Sequence, residues 1–150
     1  MTLEFITHEP DGEADSCIIW LHGLGADGHD FEPLMPELGR WQSRYIFPHA
    51  PVRPVTVNNQ MRMRAWYDFL SMDFLDSENL EHLQASVDSI HELINDQLKS
   101  GIPAEKIILA GFSQGGVISL LAGLGFTQKL GGVIALSTYL PSKYAFNHSQ

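Results

Sequence analysis

The sequence predicts an α/β fold built on a mainly parallel, doubly wound sheet. Short apolar runs alternate with helical patterns along the chain, the signature of strands joined through helices. Several of those runs are apolar at every position rather than every second one, as in strands covered on both faces. With right-handed crossovers, this order of elements builds a doubly wound sheet.

Residues 16–21 form the first strand, ended by His22-Gly23. Asp30 is expected to cap a short helix running through Leu38, because Phe31, Leu34, Met35 and Leu38 recur at helical spacing. Tyr45-Ile46-Phe47 is the next strand, closed by Pro48, and the proline-rich stretch 48–64 reads as a long irregular loop. The clearest helix spans 78–99, with Leu80, Leu83, Val87, Ile90, Ile94 and Leu98 in one stripe. Asp76 or Ser77 is expected to cap it, and Gly101-Ile102-Pro103 to stop it. A buried strand is expected at 106–110, a helix at 114–125 and a further buried strand at 132–136.

Bulk properties narrow the classes. The 150 residues suffice for one domain, and 44% hydrophobic against 18% charged is a globular balance. A net charge of −9 disfavours nucleic acid or an anionic membrane as partner but permits a neutral ester or acyl chain. Cys17 is the one cysteine and sits in an apolar run, so it reads as a small buried hydrophobe in a cytoplasmic protein. No basic segment followed by an apolar run opens the chain, no membrane span is expected, and no His/Cys/Asp spacing suggests a metal site.

The chemistry concentrates in Gly111-Phe112-Ser113-Gln114-Gly115. Gly111 ends a buried strand and Gly115 opens a helix, the setting a nucleophile elbow requires. Ser113 is then held in a tight turn, and glycines let strand and helix approach. The developing oxyanion would sit at a helix N-terminus. The plainer alternative is a glycine-rich turn with a capping serine, which the strand–turn–helix context disfavours. A second oxyanion donor must come from another loop, and Leu21-His22-Gly23-Leu24-Gly25 follows the first strand. The backbone N–H groups of Leu24 and Gln114 are the expected pair, Gly23 and Gly25 supplying the loop's freedom. A simple tight turn is the competing reading there, and His22 is expected to brace the loop rather than act as base.

Five segments in order carry a resemblance: Leu21-His22-Gly23-Leu24-Gly25-Ala26-Asp27, Pro48-His49-Ala50-Pro51, Met63-Arg64-Ala65-Trp66-Tyr67-Asp68, Gly111 to Gly116, and Leu136-Ser137-Thr138-Tyr139-Leu140-Pro141. Together they resemble the phospholipase/carboxylesterase family of the α/β-hydrolase superfamily, which includes bacterial carboxylesterases and acyl-protein thioesterases. The resemblance implies hydrolysis of carboxylic esters or thioesters without a cofactor. It also implies that Trp66 and the loop after it line an acyl pocket, and that a homodimer is plausible. The residues of that loop, with Leu70 and Leu75 among Phe69, Met72 and Phe74, suit an alkyl chain or fold back onto the core.

A triad in this fold runs Ser, then Asp or Glu, then His. After Ser113 the chain holds no acid, and its only histidine is His148. The sequence is therefore expected to be the N-terminal portion of a single α/β-hydrolase domain, truncated before its last strands and helices. Its own activity would then be impaired, and a non-catalytic acyl-binding or interaction module, or an inactive fragment, is the alternative.

Overall fold

A computed structural model describes residues 2–39, 42–71, 77–142 and 144. Seven strands and two α-helices are β1 (Phe5–His8), β2 (Ser16–Leu21), β3 (Ser43–Pro48), β4 (Val52–Val55), β5 (Met61–Arg64), α1 (Leu80–Lys99), β6 (Ile107–Phe112), α2 (Gln114–Gly125) and β7 (Gly132–Leu136). The main sheet has the order β1-β3-β2-β6-β7; β2 runs parallel to β3 and β6, β6 parallel to β7, and β1 antiparallel to β3. The expected α/β architecture is thus observed, with β2, β6 and α2 where the sequence places them.

Cys17, Ile19 and Leu21 alternate with Ile18 and Trp20 along β2, so the sheet acquires two apolar faces. On one, Cys17, Ile19, Leu21, Ile46, Ile107 and Leu109 form a continuous core with Leu83, Val87, Ile90 and Ile94 of α1 and Val117, Ile118 and Leu121 of α2. On the other, Trp20, Tyr45, Phe47 and Ala110 pack with Phe31, Met35 and Leu38. Cys17 is fully buried, and burial pushes its thiol up to about 12, so it stays protonated and inert. No helix among the described residues is long and apolar enough to cross a membrane.

Four expectations are corrected. The 31–38 segment is a 3-10 helix, Glu32–Leu38, without an Asp30 cap. Pro36 inside it has no N–H to give an α-turn. The stretch 48–64 is an ordered hairpin, β4 pairing antiparallel with β5, in which Pro54 sits opposite Arg62 on a two-stranded edge where its missing donor is tolerated. Asn79 caps α1 by accepting from the His82 N–H at 3.0 Å, rather than Ser77; Asp76 lies outside the described residues. β7 has the buried strand's composition but is half covered, with Ile134 and Leu136 exposed, because it ends the sheet's order.

The connections after β2 and β6 leave on opposite faces. The chain after β2 passes to the 3-10 helix and β3, while the chain after β6 turns into α2. The carboxyl ends of these two adjacent strands are the place where open α/β sheets hold their ligands.

Candidate active site

Ser113 occupies the turn between β6 and α2 at φ 53°, ψ −116°. A β-carbon is strained there, so the surroundings must hold the turn in place. The Ser113 N–H donates to the Leu136 carbonyl at 2.9 Å, and the Ser113 carbonyl accepts from Thr138 Oγ1 at 2.7 Å. Ser113 itself is half-buried, placed just before the N-terminus of α2.

The glycines around Ser113 are matters of clearance. A β-carbon at Gly111 would lie 2.3 Å from the Gly115 carbonyl oxygen, and one at Gly115 would lie 2.4 Å from the His22 carbonyl oxygen. The elbow therefore presses against the loop after β2. In that loop, a β-carbon at Gly23 would meet the Phe112 ring at 3.1 Å, and Gly25 takes φ +76° while its N–H donates to Arg64 O at 2.9 Å. Between these glycines the Leu24 N–H has no acceptor among the described residues. The Gln114 N–H falls in the first turn of α2, where no intrahelical acceptor exists. Sequence and structure thus bring two free backbone donors to adjoining loops beside Ser113.

His22 is 1% exposed and braces the loop, as expected. Its Nδ1 donates to the Gly23 carbonyl at 2.7 Å and its Nε2 accepts from the Ala50 N–H at 3.0 Å, which fixes the neutral tautomer. Burial lowers its pKa, opposed by the bond to Gly23. Both ring nitrogens are occupied, so His22 is no base for Ser113. Among the described residues no side chain hydrogen-bonds the Ser113 hydroxyl, and no group of three His, Cys, Asp or Glu is arranged to hold a metal. His148 lies outside the described residues.

The residues expected to line a pocket separate. Trp66 is completely buried, its backbone and indole all bonded: the indole Nε1–H donates to His22 O at 2.8 Å, and its carbonyl accepts from Ser86 Oγ at 2.5 Å. Leu70 is 70% exposed. Leu75 lies outside the described residues.

Sequence reasoning missed the side chain of Gln114. Its Oε1 accepts from the Trp66 N–H at 2.6 Å and its Nε2 donates to Tyr67 O at 2.7 Å, all in the buried interior. Beyond it, Tyr139 OH lies 3.1 Å from Tyr67 OH and donates to Glu78 Oε1 at 2.7 Å. Burial first, then the neighbouring Tyr139 hydroxyl, hold the Tyr67 phenol well above its ordinary range. No local pattern announces bonds between residues 48 positions apart.

A family model described as phospholipase/carboxylesterase matches residues 3–150. An acyl-protein thioesterase 1 from Cryptococcus neoformans is 40% identical over 147 residues, and one from Schizosaccharomyces pombe 38% over 140; each alignment covers 93% of this chain. The chain spans only 61% and 62% of those two proteins' lengths. Among solved structures, Arabidopsis thaliana SOBER1 superposes with a TM-score of 0.76 at 33% identity, covering 84% of this chain and 62% of that one. Zea mays acyl-protein thioesterase 2 superposes at 0.77 with 27% identity, covering 93% and 63%.

Proposed function

The chain belongs to the phospholipase/carboxylesterase family of α/β-hydrolases, and on that premise we propose that Ser113 is the nucleophile of a carboxylic ester or thioester hydrolase. Its hydroxyl attacks the acyl carbonyl, the alcohol or thiol departs, and water releases the acid from the acyl-enzyme. The N–H groups of Leu24 and Gln114 receive the oxyanion. One such donor is typically worth about 2.7–4 kcal/mol in the transition state. The observation that carries the reading is the left-handed Ser113, at φ 53°, pressed against a loop with a free N–H.

A serine needs a base, and the base an orienting acid. The relatives are longer than the stretch this chain matches, and we assign the acid and base to that further part of the domain. Leu70 offers the reachable apolar surface of the acyl wall, and Trp66 backs the loop from behind. The acidic charge and this apolar loop favour a neutral substrate with a short or medium acyl chain over nucleotides. The acyl-protein thioesterases among the relatives support thioesters as well as oxyesters. No cofactor is required, the single buried thiol suits the cytoplasm, and a homodimer is the proposed assembly.

The test is labelling by a fluorophosphonate together with hydrolysis of p-nitrophenyl esters. Both are expected in the complete protein and lost in Ser113→Ala, while the 150-residue chain alone turns over slower by several orders of magnitude. Labelling that survives Ser113→Ala removes Ser113 from the mechanism.

A further inference from the structure

We infer that the Gln114 side chain and the Trp66 indole form a positioning bridge that holds the Leu24 and Gln114 N–H groups in one frame. The inference rests on the hydrolase reading above and goes beyond it. That reading uses only the backbone of Gln114 and puts Trp66 behind the acyl wall.

The two donors belong to loops that leave the ladder after Leu21 and Gly111, the last paired residues of β2 and β6. Past that point the loops still touch, Gly115 lying against the His22 carbonyl, and the hydrogen bonds that link them run through side chains. Gln114 Oε1 takes the Trp66 N–H at 2.6 Å, and the Trp66 indole N–H reaches the His22 carbonyl at 2.8 Å. The His22 ring closes on the Gly23 carbonyl at 2.7 Å, one residue before Leu24. Gln114 Nε2 adds a second hold on the same segment through Tyr67 O, at 2.7 Å. Gln114, Trp66 and His22 are all buried, so water does not compete for these bonds and each is stiffer than at the surface. Gln114 thus holds the segment that follows β5 by its side chain, while its own N–H remains in the first turn of α2 with no intrahelical acceptor.

Such a frame matters because oxyanion stabilisation depends on donors fixed before the charge forms. A shift near 1 Å in catalytic geometry costs on the order of 10²-fold in rate. Gln114 and Trp66 are therefore positioning residues, whose loss moves turnover more than substrate affinity.

Trp66→Phe keeps a ring and deletes the indole donor; Gln114→Met keeps the length and deletes both bonds. In the complete protein, each is expected to lower kcat about tenfold or more per titrated active site, with KM changing less than about twofold. The double variant should be no worse than the poorer single one, because both cut the same path. Unchanged kcat per titrated site in both single variants would overturn the bridge. Turnover and labelling that persist in Ser113→Ala would instead overturn the hydrolase reading. A second measurement needs no turnover. In amide spectra of the complete protein, Gln114→Met should move the Leu24 resonance when residue 66 is Trp and not in Trp66→Phe. A Leu24 resonance indifferent to Gln114, or moved equally in both backgrounds, overturns the bridge as well.

Discussion

On one face of the sheet, Ile19, Leu21, Ile107 and Leu109 lie beneath α1 and α2, each fully buried. On the other, Ile18, Trp20, Tyr45, Ile108, Ile134 and Leu136 line an apolar hollow of about 470 Å³, with Leu38 at its rim. Polar satisfaction does not separate the faces: Trp20 Nε1 on the second and Ser119 Oγ of α2 on the first are both buried with no partner among the described residues. The strained Ser113 belongs to the first face, where α2 anchors the turn from below. Strain persists where packing over-determines the backbone, and the dense face is the one able to supply that.

The contrast is broken most severely from the packed side. Leu121 is fully buried under α2, and Leu121→Ala should cost about 2–5 kcal/mol in transfer and cavity terms. Urea unfolding measures it. A loss below about 1 kcal/mol would mean that the packed face collapses readily, and that the two faces differ less than their burial implies.

The next largest effect is set by pH at the boundary between core and site. Burial lowers the folded pKa of His22 from its ordinary 6.5. The unfolded chain therefore takes up a proton, as pH falls below about 6.5, that the folded chain refuses. This contribution to stability is constant above that pH and is lost below it, at up to about 1.4 kcal/mol per pH unit. His82 has its pKa lowered too, chiefly by burial, so His82→Gln is the appropriate background. Urea midpoints between about pH 7.5 and 5.5 should fall more steeply with His22 than with His22→Asn in that background. Parallel curves would separate the loop's brace from its protonation.

The densely packed face was also the easier to read. Continuous apolar runs mark β2 and β6 because both are covered on two sides, and the stripe of α1 matches its burial at Leu83, Val87, Ile90 and Ile94, although Leu80 at its start is 47% exposed and Leu98 only partly buried. Ser113 and its glycines are contiguous, so their turn is written in five letters. What escaped is either short or non-local. β1 has four residues with alternating cover, and the β4–β5 hairpin hides behind Pro51 and Pro54. The Gln114–Trp66 bond joins distant segments and leaves no periodicity. The run 132–136 reads as buried because its residues are apolar, yet burial of Ile134 depends on what lies beside the strand, which its own letters do not state.

The smallest expected effect sharpens that last point. Ile134 stands on β7, 42% exposed at the open hollow. Replacing it with threonine keeps the β-branch that suits a strand and removes little buried apolar area. Ile134→Thr should leave unfolding stability within about 0.5 kcal/mol. What it should change is association, because apolar edges invite pairing between chains. Sedimentation over a concentration series is expected to show less self-association than the parent. If stability instead falls by about 2 kcal/mol or more, as for a buried isoleucine, the hollow is closed in solution, and the two faces are alike.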